Sequence, residues 1–270
     1  MSAGAMPLVD RAPRSWLAPA DVRALARVEA RRLLRHPVFL LGVLLTAVIA
    51  VPNAGANGQA KLFILLGGGV LPLAAGTFIA ANLAALRSRR DGTDELFGAL
   101  PRRGTTRTAA QLLAVAAAVP VAVVLLAVLF VAFGAADGLV VGHDGMRHVP
   151  APVELAQGPL LVALLGAAGI ALARVAPSVV VAPLALLGLL AAEVPLTVWQ
   201  SGVTLHWLAP LAHDTIAAHG AWVPCTPADT RPGCNLVLGY DVEGMRLHLL
   251  YLACLTTAAV AASLLRRRPA

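Results

Sequence analysis

Long apolar stretches alternate with short polar ones along most of the chain. Runs rich in Leu, Ala and Val occupy 37–51, 62–86, 109–133, 155–173, 179–198 and 247–265. They lack the in–out alternation that a barrel strand needs. Lipid offers backbone groups no partner, so apolar runs of this length are satisfied as helices, whose hydrogen bonds are internal. The pattern therefore predicts an all-α polytopic membrane protein with six transmembrane helices. The first run is short against the roughly 20 residues a span needs. It is expected to borrow Leu33 and Leu34, with Arg35 reaching back to the headgroups. Pro72, Pro120, Pro183 and Pro195 fall inside spans, where proline kinks a helix. Gly67, Gly68, Gly69 and Gly76 thin the second span. Ala163, Ala167 and Ala171 form a small-residue stripe on the fourth, and such stripes let helices pack closely.

Composition agrees with this pattern. Of 270 residues, 59% are hydrophobic and 13% charged, against roughly 25% charged in soluble domains. Met1–Pro19 has no apolar core and no small-residue cleavage site, so the first span is expected to serve as its own insertion signal.

The net charge of +7 would raise the question of nucleic acid in a soluble protein. Here the basic residues fall between the apolar runs and read as topology signals, so no nucleic-acid partner is expected. With six spans, seventeen basic residues lie on the side of the termini and four (Lys61, Arg147, Arg231 and Arg246) on the other. Basic residues stay inside, so both termini are expected in the cytoplasm. The N-terminal region, 1–36, carries one helical stretch, Ala20–Arg35. Arg23, Arg27, Arg31 and Arg35 recur every four residues as one cationic stripe, with Val22, Leu25 and Val28 on another face. This spacing predicts an amphipathic helix at the membrane surface, arginines against anionic headgroups. The C-terminal residues 266–270 form a basic cytoplasmic tail.

The loop between the second and third runs, Arg87–Arg107, predicts a short helix over 93–100. Thr93 is a good N-cap, and Asp94 and Glu95 occupy the first turn, where the helix dipole favours negative charge. Leu96 and Phe97 give it an apolar surface, and Pro101 stops it. Exposed apolar side chains flanked by charge fit a docking site; a helix lying on its own membrane fits equally well.

These residues carry a resemblance. Arg31–Leu40 (RRLLRHPVFL) is similar to the end of the connecting helix in permease subunits of type-2 ABC exporters. Arg87–Arg107 resembles their cytoplasmic coupling helix: a basic run, Gly-Thr, acidic residues, apolar residues, Leu-Pro and a basic return to the membrane. The resemblance covers the layout of nearly the whole chain through short, degenerate motifs. It implies a partner ATPase that binds ATP and Mg, and a second copy or a sister permease alongside in the lipid bilayer. It also implies that Asp94, Glu95, Leu96, Phe97 and Arg102 are coupling contacts, and that Arg27 and Arg31 belong to the connecting helix. The chain has no Gly-x-x-x-x-Gly-Lys-Ser/Thr sequence, so it is expected to be no enzyme, with no cofactor of its own. The Ala/Arg-rich composition points to a GC-rich bacterial genome, and hence to a bacterial inner or plasma membrane.

The expected outer segment, 199–246, is polar and carries Trp199, Trp207, Trp222 and Tyr240, residues suited to a membrane interface. Six of the seven histidines lie on the outer side, His143, His148, His206, His213, His219 and His248. Cys225 and Cys234 are separated by TPADTRPG on the side where disulfides persist. A disulfide is the favoured reading, free thiols the second and zinc the third; no CxxC or HxxxH spacing supports a metal. Glu193 is the one acidic residue inside a span, where a charge costs roughly 2.5 kcal/mol or more at the centre. It is either a contact in the translocation path or a neutralised carboxyl near the outer interface. A membrane-embedded enzyme using the outer histidines, a gradient-driven transporter, and a sensor or scaffold remain as alternatives. None of the three accounts for the docking helix.

Overall fold

The computed structural model describes residues 19–92, 104–141, 146–198 and 242–265. Helix accounts for 84% of it. Helix α1 (Pro19–Leu34) meets α2 (Pro37–Asn53) at an angle of 55°. The joint follows from Pro37, which starts α2 and has no N–H with which to continue α1. His36 caps the new helix, its Nδ1 accepting from the Val38 N–H at 3.3 Å. Leu33 and Leu34 therefore precede the bend rather than continue α2 in a straight line. Leu33 is buried in the same apolar cluster as Phe39.

The run 62–86 is not one helix. Asn57 caps the short α3 (Gly58–Leu65), accepting from the Ala60 N–H at 2.9 Å. Gly67 then adopts a φ of 140°, a conformation closed to L side chains. A 3₁₀ turn (Gly68–Val70) leads into α4 (Leu71–Arg90). The third run divides more gently, into α5 (Gly104–Ala116) and α6 (Ala118–Ala132). Pro120 cannot donate to the Ala116 carbonyl, and the helix is interrupted at Ala117. After Gly134, at φ 64°, the chain forms a small antiparallel hairpin. Its strands are β1 (Leu139–Val141) and β2 (Met146–His148), with Val140 opposite Arg147. Helices α7 (Pro152–Leu155), α8 (Gln157–Val175), α9 (Val181–Val198) and α10 (Val242–Leu265) complete the described chain.

Among the described residues, four helical stretches are long and apolar enough to cross a membrane: Gly68–Arg87, Thr105–Ala132, Pro152–Val175 and Arg246–Leu265. The bent pair α1–α2 makes a fifth if taken as one span, and Val181–Ala192 is a shorter apolar helix. Leu40, Leu44 and Val48 on α2, Val124, Val128 and Val131 on α6, and Leu184 and Leu187 on α9 are exposed. So many outward aliphatic side chains suit lipid as the surrounding solvent, and they place α2, α6 and α9 at the periphery.

Helices α4 and α8 form the centre. Leu73, Ala74 and Phe78 of α4 share one apolar cluster with Leu161, Val162, Leu165 and Ile170 of α8. Backbone approach on α8 is made by Gly169, while Gly166 makes room for the side chains of Thr77 and Val115; in the alanine stripe Ala167 is buried and Ala163 and Ala171 are half-buried. A Cβ at Gly169 would stand 2.3 Å from the Phe78 carbonyl oxygen. On the other side of α4, a Cβ at Gly76 would lie 2.8 Å from the Val38 carbonyl oxygen of α2. A second apolar cluster, with Leu62, Leu65, Leu129, Phe133 and Leu139, fixes α3 and the hairpin to α6 at the end away from α1.

Candidate functional site

The charged chemistry of the described residues gathers where α1, α4, α5 and α8 meet. Helix α1 turns four buried residues inward: Val22, Ala26, Glu29 and Leu33. Their spacing is that of one helix face. Val22 and Ala26 pack with Ala110 of α5. Glu29 is 5% exposed, and its two oxygens face two arginines. Oε1 lies 3.6 Å from Nη1 of Arg32 on its own helix. Oε2 lies 3.6 Å from Nη1 of Arg87 on α4. The opposite face carries Arg23, Arg27, Arg31 and Arg35, all exposed. The cationic stripe thus lies where the spacing places it. Val28 does not join an apolar face; it is exposed. The buried face of α1 is spent on the protein.

The ends of α4, α5 and α8 are joined by polar contacts. Gln111 donates from Nε2 to the Ala84 carbonyl of α4 at 3.3 Å. Arg174, in the last turn of α8, donates from Nη1 to the buried Thr108 hydroxyl of α5. One turn further in, Asn82 donates from Nδ2 to the Gly169 carbonyl at 3.0 Å. His36 sits beside this group. Burial, and after it the guanidinium groups of Arg87 and Arg90, hold its imidazole below the ordinary value of 6.5. The neutral ring is the form that can accept from Val38.

At the far end, Glu154 is buried at 1% exposure. Its Oε2 accepts from the Ala151 N–H at 2.7 Å and lies 3.0 Å from His148 Nε2. This carboxylate fixes the return from the hairpin into α7. Among the described residues, no three His, Cys, Asp or Glu side chains converge as metal ligands would.

Arg27 and Arg31 lie on the exposed face of α1. Asp94, Glu95, Leu96, Phe97 and Arg102 lie outside the described residues, as do Cys225, Cys234, His143, His206, His213 and His219. Glu193 falls within α9. His248 belongs to α10 and is buried at 2% exposure, its ring centroid 6.0 Å from that of Tyr251.

Sequence reasoning passed over Glu29, Thr108, Gln111 and Glu154. Glu29 had a signal: it is the lone acid between Val22 and Arg35, and it shares the spacing of Val22, Ala26 and Leu33. The other three are ordinary polar residues near helix ends, and only their packing distinguishes them.

No protein-family model, curated protein or solved structure matches the chain.

Proposed function

We propose that the chain is the membrane-spanning permease subunit of a type-2 ABC exporter. It moves a hydrophobic or amphipathic compound (a drug, a lipid or similar) outward, using ATP hydrolysed by a separate ATPase subunit. The observation that carries this reading is the junction of α1, α4, α5 and α8. The segment 93–103, whose sequence resembles a coupling helix, is the connection between α4 and α5. Both of its stems are bound into the bundle: α4 through Arg87 to α1, and α5 through Thr108 to α8. A force applied to that connection passes into two further helices, α1 and α8, rather than into a loose loop. Such stems are what a protein driven from outside needs.

In this reading α2, α4, the α5–α6 pair, α8, α9 and α10 are six spans. The arginine bias sets both termini, the 93–103 segment and the exposed stripe of α1 in the cytoplasm. A second copy or a sister permease completes the translocation path in a bacterial inner membrane, and Glu193 is a candidate contact within it. The test is purification of the tagged protein from its native membrane in mild detergent, with identification of stoichiometric partners. A nucleotide-binding subunit that is lost on Glu95→Ala with Phe97→Ala is the expected result. A lone protein, under conditions that keep known complexes of this kind together, would refute the reading.

A further inference from the structure

The pairing of Glu29 has a geometry that packing alone does not require. The carboxylate is buried between two arginines at the same distance, 3.6 Å. One partner, Arg87, belongs to α4. The other, Arg32, belongs to the same helix as Glu29 and is 55% exposed. Both distances exceed the roughly 2.7–2.9 Å of a charge-assisted hydrogen bond. Attraction at this range depends little on angle, so the contact tolerates sliding.

For holding α1 in place, a leucine at position 29 would serve at least as well. Buried ion pairs seldom exceed a well-packed apolar replacement in stability. What an ion pair adds is the ability to part. Breaking one normally strands a buried charge, which is the main penalty. Here Arg32 travels with Glu29, so the carboxylate keeps a cation when α1 and α4 separate. Arg87, one-third exposed, is left facing water or lipid phosphate rather than an apolar wall. Of the apolar residues on the same face, Val22 and Ala26 meet α5, and Leu33, at the α2 end of the helix, joins the central cluster.

We propose that Glu29 and Arg87 form a releasable latch between α1 and α4, with Arg32 as the partner that keeps Glu29 neutralised when the latch is open. Glu29 is a positioning residue: it acts through the placement of α1 and touches no substrate. The inference rests on the exporter reading for its purpose, since a partner ATPase supplies the motion that opens the latch. It does not rest on that reading for its existence.

Two measurements separate these. In the purified full-length protein, hydrogen exchange of the α1 amides reports the closed latch. Arg87→Gln and Glu29→Gln should each speed exchange over 23–34 by about threefold or more, while Arg87→Lys should match the unaltered protein. Unchanged exchange in both Gln variants would overturn the latch whatever the protein does. In the complex with its ATPase, exchange over the same amides should rise when the nucleotide is trapped with vanadate. Arg87→Lys should keep that response, and Glu29→Gln should lose it by being fast already. A complex in which trapped nucleotide leaves α1 of the unaltered protein unmoved would overturn the release. Absence of any ATPase partner would remove the exporter reading, and the opening motion with it, while the first measurement still decides the closed contact.

Discussion

Replacing Gly169 by alanine adds one methyl group at the tightest crossing of the two central helices. The new Cβ would lie 2.3 Å from the Phe78 carbonyl oxygen and 3.1 Å from the carbon that bears it. Both are backbone atoms of α4, so no side chain can swing aside. Ordinary contact at about 3.4 Å or more requires the two helices to part by about 1 Å. Overpacking of this kind costs about 1–3 kcal/mol. The same separation stretches the Asn82–Gly169 hydrogen bond, now 3.0 Å, and interhelical bonds in membranes contribute about 0.6 kcal/mol each. The sum is about 2–4 kcal/mol, which lowers the melting temperature by about 4–16 °C for a chain of this size. Gly188 supplies the control. It lies in α9, and a Cβ there meets nothing within 4 Å. Gly188→Ala should hold the melting temperature or raise it slightly, because alanine restricts the unfolded chain. The assay is thermal unfolding in one mild detergent, followed by loss of the monodisperse peak on size-exclusion chromatography. Equal melting temperatures for Gly169→Ala and the unaltered protein would refute the proposed crossing. So would an equal fall in both variants.

At the α1–α2 joint, the His36 imidazole is held below 6.5 in the fold, so the unfolded chain takes up its proton first. The stability that neutral His36 contributes is complete above pH 6.5 and is lost progressively as pH falls below it. His36→Asn keeps a side-chain acceptor for the cap without a titrating group, and should flatten the acid side of the stability curve; parallel curves would contradict this. Glu154→Ala leaves the Ala151 N–H without its acceptor and should cost about 1–3 kcal/mol, read as faster hydrogen exchange over 146–155, with unchanged exchange counting against the contact. Gly58→Ala would bring a Cβ to 2.0 Å from the Val140 carbonyl oxygen and should destabilise the protein by about 1–3 kcal/mol. Gly55→Ala, with open space around it, should not; indistinguishable melting of the two variants would rule out the α3–hairpin contact.

Hydropathy reveals where apolar helices lie because lipid exposure and core burial both select the same residues. It does not reveal where such a helix breaks. Gly67 is as compatible with an apolar run as the leucines before it, and its positive φ leaves no trace in hydrophobicity. Three consecutive glycines in a helix of ordinary residues are a propensity signal, and that signal marked the break. The hairpin is not among the elements the apolar pattern predicts, although Gly142, Asp144 and Gly145 lie between two short β-compatible runs, a turn composition. The alanine stripe on α8 is a partial guide: Ala167 is buried, and Ala163 and Ala171 are half-buried. Helix α8 is buried on almost every side, so small residues occur on several faces and periodicity cannot single out the one that touches backbone. Glu29 is easily overlooked because it lies among arginines, and an acid in a basic helix reads as solvated until its register with Val22 and Leu33 is considered.

The contacts divide by what they permit. Helix α4 touches α2 through Gly76 and α8 through Gly169, backbone against backbone. Contacts of this kind are made at one separation only, because atoms already at contact have no second arrangement nearby. The α3–hairpin end is closed by a cluster of Leu, Ile and Phe side chains, which also loses its attraction steeply as it opens. At the α1 end, small apolar contacts of Val22 and Ala26 with Ala110 are joined by long polar side chains: Arg87 to Glu29, Gln111 to Ala84 and Arg174 to Thr108. These reach across gaps, keep most of their attraction when displaced by a fraction of an ångström, and find water when released. A bundle built this way yields first at the α1 end and last at its centre. Motion entering through the connection between α4 and α5 would therefore rearrange the polar ties before it disturbs the glycine crossings, and the central pair of helices would tilt as a unit rather than come apart.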